Sequence, residues 1–213
     1  MQTTRLTGGY DLYRGKTLKE VDVQKVIYEF LKRKLHCLSN KQVSFAREVP
    51  VPYRTLFGTR DNPAKIVVKC FNQDLCIFEN WAIEDMKNEQ IIKIEASYKS
   101  EFKESYGIWK TNSIHIPYVI IEMMVSNNTD TFLAYKEKTR MIKECFPWVK
   151  YCLCMVGKGS PRLIEDGVTF DKIVVLSDTE EATLEKEKFA ETVESLFMEA
   201  EERKKQYFNN VEN

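Results

Sequence analysis

The sharpest alternation along the chain begins near position 90. Ile92, Ile94, Ala96 and Tyr98 interleave with Lys93, Glu95, Ser97 and Lys99. A period of two predicts a strand with one buried and one polar face. The run YVIIEMMV, Tyr118–Val125, is apolar at every position but Glu122, as a strand covered on both faces should be. Phe132, Tyr135, Thr139, Ile142 and Phe146 then recur at helical spacing, with Thr129 or Asp130 as cap and Pro147 as stop. The apolar segment 151–156 follows as a strand. A helix between two strands predicts that 118–125 and 151–156 run parallel, and 93–99 is predicted as the antiparallel neighbour of 118–125.

Upstream, Val23, Val26, Ile27, Phe30, Leu31 and Leu35 mark a helix starting near Leu18. VSFAREVPV reads as a strand broken by Pro50 and Pro52, and residues 53–65 as a loop carrying Gly58 and Asn62-Pro63. AKIVVKCF predicts a short strand, and LCIFENWAI a further strand or a helix start. Downstream, KIVVLSD from Lys172 predicts a strand, and positions 179–208 a long helix with Leu184, Val193, Leu196, Phe197 and Ala200 as its packing stripe. With no repeat or linker, residues 1–213 read as one domain, core 20–176 plus the C-terminal helix. The fold class expected is α/β, a mixed β-sheet flanked by helices.

Composition narrows the partners. Hydrophobic residues at 43% and charged residues at 30% suit an ordinary globular protein. Lys plus Arg equals Asp plus Glu at 32 each, so contact with nucleic acid requires local clustering of cations. No apolar run is long enough to span a membrane, and the opening MQTTRLTGGYDLYRGK has no leader-like core. Six cysteines without a Cys-x-x-Cys spacing predict free thiols and a cytoplasmic location. His36 and His115 are too few for a histidine metal cluster, and no phosphate-binding glycine loop occurs.

Glu122 carries the most information. A buried carboxylate without a partner costs several kcal/mol, so it demands a cation, a hydrogen-bond network or a metal. A lysine or a backbone donor would satisfy it without any chemistry.

The order helix, strands, acid-bearing central strand, helix, strand resembles the PD-(D/E)XK, or restriction-endonuclease-like, nuclease superfamily. The resemblance covers roughly residues 20–158. It implies that Glu122 in VIIEMMVSNN is the acid of the acid-x-Lys tripeptide and that Glu95 is the first acid. Both would hold Mg²⁺, with Mn²⁺ as substitute; such a metal lowers the pKa of bound water and stabilises phosphate charge. The lysine position is Met124, and no Pro-Asp pair precedes it. Three explanations fit: Lys99, Lys136 or Lys138 has taken over the lysine's place; an inactivating Lys→Met substitution is present; or the chain is a non-cutting relative or the motif is misplaced. Glu95-Ala96-Ser97 with Asp61 upstream is a second candidate tripeptide, also without the lysine.

The resemblance implies a Mg²⁺-dependent DNA endonuclease of restriction type, acting on double-stranded DNA as a homodimer. Arg54, Arg60, Lys103, Tyr106, Trp109 and Lys110 are the candidate DNA contacts, cations for phosphates and aromatics for stacking. A non-catalytic nucleic-acid or protein-binding module on the same fold, and an RNA endonuclease, are the competing readings.

Overall fold

The hairpin before the central strand is longer than the hydrophobic pattern predicts. In the computed structural model, β2 (Lys41–Phe57) and β3 (Ile66–Glu79) pair antiparallel from Val43↔Glu79 to Phe57↔Ile66. Residues 20–35, 37–38, 41–57, 66–79, 116–125, 128–157, 164–165, 169–177 and 182–211 are described. Before the hairpin come α1 (Glu20–Lys34) and the two-residue β1 (Cys37–Leu38), which pairs with Gln42 and Lys41. After it come β4 (Val119–Met124), α2 (Thr129–Cys145), β5 (Lys150–Val156), β6 (Lys172–Leu176) and the long α3 (Ala182–Val211).

Three expectations about this hairpin are corrected. Pro50 and Pro52 do not break β2, which runs on through Phe57, so 53–57 is strand and not loop. Beyond β2 only β1 pairs among the described residues, and it covers Lys41 and Gln42 alone. The prolines, two apart, turn their missing N–H groups to the same side of the strand, which an open edge tolerates. The register shift between Pro52 and Arg54 absorbs the remaining irregularity. Likewise the two segments IVVKCF and LCIF are one strand, because the polar Asn72-Gln73-Asp74 between them stays in register with β2.

The strands order as β1-β2-β3-β4-β5-β6. Strand β4 is antiparallel to β3 through Leu75↔Ile121, Cys76↔Ile120 and Ile77↔Val119, and parallel to β5 from Val119↔Lys150 to Met124↔Met155. Parallel pairing continues from β5 to β6. Segment 151–156 therefore runs parallel to 118–125, as the helical crossover requires. Among the described residues the antiparallel neighbour of β4 is β3. Both edges of β4 are filled where it pairs, and 93–99 lies outside the described residues.

Every residue of β4 and β5 is buried, because helices cover both faces. On one face Ile27 and Leu31 of α1, with Phe189, Val193 and Phe197 of α3, pack on Val119, Ile121, Met123, Cys152 and Cys154. On the other, Phe132, Tyr135 and Ile142 of α2 pack on Ile120, Met124, Tyr151, Leu153 and Met155. Each large apolar side chain so buried contributes about 1.5–3 kcal/mol. Helix α2 is capped by Asn128, not by Thr129 or Asp130: the Asn128 side chain accepts from Asp130 N and Thr131 N. Val193, Leu196, Phe197 and Ala200 are buried on α3 as the stripe predicts. Among the described residues no helix is long and apolar enough to cross a membrane.

The hairpin changes face part-way. Val43 joins the α1–α3 side, whereas Val49 and Val51 join the α2 side. Between them Glu48 has φ 53°, left-handed backbone in which a non-glycine residue is uncommon. Register places Asp74 opposite Glu48, between the pairs Arg47↔Leu75 and Val49↔Gln73. Past this point the hairpin faces α2, and the Cys145 thiol donates to Tyr53 O at 3.0 Å. The switch brings Gln73 and Asp74 towards the side on which α2 lies.

Candidate active site

The ladder between β3 and β4 stops at Leu75↔Ile121. One step further, antiparallel register sets Asp74 against Glu122. The backbone groups do not pair there. Instead the Asp74 carboxylate replaces a strand partner, with Oδ2 accepting the Met123 N–H at 2.7 Å. Two acids from neighbouring strands are thus brought side by side where the strands part.

Glu122 is 0% exposed. Period-two alternation turns it, like Ile120 and Met124, towards α2. Lys138 reaches down from α2 and donates to Glu122 Oε1 at 3.2 Å. The same ammonium donates to Asn72 O at 3.1 Å and lies 5.0 Å from the Tyr135 ring centroid. The Tyr151 hydroxyl, from β5, lies between two acceptors, Gln73 Oε1 and, at 3.1 Å, Glu122 Oε1, and its one proton serves one of them at a time. Glu122 Oε2 has no hydrogen-bond donor.

The electrostatics follow from this crowding. Burial first, then the Asp74 carboxylate, push the Glu122 pKa from 4.5 up to about 8, while Lys138 pulls the other way. A direct Asp74–Glu122 hydrogen bond would need a proton on one acid, since two carboxylates have only acceptors. Burial and then Glu122 raise the neighbouring Cys76 thiol and Tyr151 phenol well above their ordinary values. The surroundings therefore disfavour the charged form of Glu122 and of its two neighbours.

Of the residues singled out in the sequence, Glu122 and Lys138 meet. Met124 is buried at 2% exposure within the α2-side apolar cluster. Arg54 is exposed on β2, directly across from the exposed Lys69. Glu95, Lys99, Asp61, Arg60, Lys103, Tyr106, Trp109 and Lys110 lie outside the described residues. Asp74, Gln73 and Tyr151 were not anticipated. The place of Asp74 becomes visible only once 66–79 is taken as one strand.

Among the described residues no group of three or more His, Cys, Asp or Glu side chains is arranged to hold a metal. The Asp74–Glu122 pair nevertheless fits a small hard cation, since Mg²⁺ commonly binds through one or two carboxylates and completes its shell with water and phosphate oxygens. The orphaned Glu122 Oε2 is the oxygen such an ion would satisfy. No protein-family model matches the sequence, and no curated protein sequence matches it.

Proposed function

We propose that the chain is a metal-dependent phosphodiesterase of nucleic acid, a DNA endonuclease of restriction type on a restriction-endonuclease-like core. One observation carries the reading: a fully buried glutamate keeps one oxygen without a donor beside a second acid and a lysine. The element order supports it, with a helix, three antiparallel strands, a helix and a parallel strand in the succession that family uses.

Asp74 and Glu122 would hold Mg²⁺ or Mn²⁺, and the bound ion would supply charge neutralisation at phosphate and a more acidic water. The chain's own residues do the rest. The Lys138 side chain is 22% exposed and its ammonium donates to the buried acid, so the residue joins the site to the surface. That is where a lysine meets a phosphate oxygen or orients an attacking water. It takes the place that the tripeptide would give to residue 124, reaching from the next helix instead of from the same strand. Arg54 and Lys69, facing each other as like charges on the hairpin, are suited to hold a phosphate backbone. Duplex cleavage also suits a two-fold dimer and a cytoplasmic setting.

A non-catalytic module on the same fold is favoured by one observation: Lys138 already pairs with Glu122, as a purely structural acid requires. Cleavage assays with Mg²⁺ or Mn²⁺ on duplex DNA, single-stranded DNA and RNA separate these readings. Cleavage by the chain that Glu122→Gln abolishes supports the proposal. Tight nucleic-acid binding without cleavage in either metal replaces it with the module. Cleavage of RNA alone moves the substrate to RNA.

A further inference from the structure

The Lys138 ammonium has three neighbours, and only one of them is the acid. It donates to Glu122 Oε1 at 3.2 Å and to Asn72 O at 3.1 Å, and it lies over the Tyr135 ring, 5.0 Å from the centroid. An aromatic face attracts a cation held within about 6 Å of its centre. Tyr135 and Lys138 are three residues apart on α2, a spacing at which helix side chains are neighbours. A lysine stem carries four rotatable carbons, so the position of its charge depends on what holds it.

The ring is fixed independently of the lysine. Tyr135 is buried in the α2-side cluster with Ile120, Met124 and Phe132. Its hydroxyl donates to Met123 O at 3.2 Å, and the N–H of that same residue is the one Asp74 Oδ2 accepts. Met123 stands beyond the last β3–β4 pair, Leu75↔Ile121. Side chains from two elements, β3 and α2, thus take backbone groups that the ladder no longer serves. Asp74 and Tyr135 are thereby tied to one residue of β4, next to Glu122.

Resting on the metal-site reading above, we infer that Tyr135 is a positioning residue for Lys138, its ring face holding the ammonium beside Glu122. A carboxylate that neutralises a divalent ion has less attraction left for an ammonium. A ring face and a backbone carbonyl lose none of theirs. Tyr135 and Asn72 O therefore keep the lysine at the site when Glu122 serves a metal.

The test is a double-mutant cycle between positions 135 and 138 of the full chain. It is read by nucleic-acid cleavage in Mn²⁺ and, in metal-free buffer, by thermal unfolding. Tyr135→Leu removes the ring face, whereas Tyr135→Phe keeps it and removes the hydroxyl. Lys138→Ala removes the ammonium and brings no new contact to the ring. The inference expects Tyr135→Leu to slow cleavage about 3–10-fold, with Tyr135→Phe within about 2-fold of wild type. In the Lys138→Ala background, Tyr135→Leu should have no further effect on cleavage. In unfolding, Tyr135→Leu should lower the midpoint about 2–4 °C more with Lys138 present than with alanine there. A loss matched by Tyr135→Phe, or repeated in the Lys138→Ala background, overturns the inference. So does a Tyr135→Leu chain that cleaves like wild type. Should Tyr135→Leu fail to fold, Tyr135→Met fills the space without a π face and carries the same expectations. The two levels fail differently. Absence of cleavage by wild type ends the nuclease reading, and the unfolding cycle still decides whether the ring holds the lysine: a larger shift with Lys138 present supports it, and equal shifts overturn it.

Discussion

Lys138 and Glu122 stand 16 residues apart in the chain and 3.2 Å apart in space, one on a helix and one on the strand beneath it. The pair forms because β4 and α2 are consecutive and the helix returns across the face to which Glu122 points. Its consequence is a carboxylate that is half satisfied. One oxygen accepts from the lysine and lies 3.1 Å from a tyrosine hydroxyl shared with Gln73, and the other has no donor.

The raised pKa of Glu122 makes stability depend on pH. Unfolded, the acid titrates near 4.5, and in the fold near about 8. Between those values the folded state binds the extra proton, so stability falls as pH rises. This contribution is fully present below 4.5 and is lost as pH climbs through about 8. Glu122→Gln has no such proton. In metal-free buffer, thermal unfolding of the variant should therefore gain on wild type across that window. A gap between the two that stays constant with pH would show that Glu122 titrates like an exposed acid.

Asp74 has two jobs that substitution can separate. Its Oδ2 terminates the β3–β4 ladder by accepting Met123 N–H at 2.7 Å, and its charge helps raise Glu122. Asp74→Asn can keep the first through the amide oxygen while removing the second. It should unfold close to wild type, lower the Glu122 pKa and lose Mn²⁺ affinity. Asp74→Ala removes both and strands a backbone donor, which costs about 1–3 kcal/mol if that donor is kept from water. Similar unfolding temperatures for Asp74→Asn and Asp74→Ala would deny the ladder-ending role.

The parts legible in the sequence are those where a single local pattern decides. Glu122 stood out as one carboxylate in an apolar run, and the helix after it was readable from its inner stripe, which placed Lys138 on a flank. The parallel pairing of β4 and β5 followed from that crossover. Asp74 was hidden because Asn72-Gln73-Asp74 has the composition of a turn. Only long-range facts, the register with β2 and the hydrogen bond to Met123, keep those residues in a strand. Tyr151 was equally hidden. In a strand buried on both faces, nothing local distinguishes a tyrosine packed for its ring from one placed for its hydroxyl. The prolines of β2 misled for a related reason, since their effect depends on which edge of the strand lies open.

Nucleic-acid binding should respond to the hairpin's facing cations. Arg54→Ala and Lys69→Ala each remove one exposed charge from paired positions on β2 and β3. Each is expected to weaken DNA binding across sequences and to reduce the salt dependence of binding by about one phosphate contact. Fluorescence anisotropy over a salt series measures both quantities. Unaltered slopes in both variants would move the phosphate path away from this hairpin.

Exchanging the two candidate lysine positions is the most demanding check on the site. Lys138→Met should lower cleavage about 10²-fold, as losing one donor aimed at developing charge does. It should also raise the Glu122 pKa further, because Lys138 is the group pulling it down. Met124→Lys on its own adds a charge to a cluster that includes Ile120, Phe132 and Tyr135. Burying that ammonium costs several kcal/mol unless it finds an acid, and the acid two residues away on the same face of β4 is Glu122. The new ammonium would then compete with the metal, so this variant should bind Mn²⁺ more weakly and cleave no faster than wild type. In the double variant the helix lysine is gone and the strand lysine is the only cation beside Glu122. Cleavage should then exceed that of Lys138→Met, because the charge has returned to the site from a different backbone position. A double variant no better than Lys138→Met would show that the site needs the ammonium where α2 places it. A Met124→Lys chain faster than wild type would show instead that Lys138 had never replaced the missing lysine.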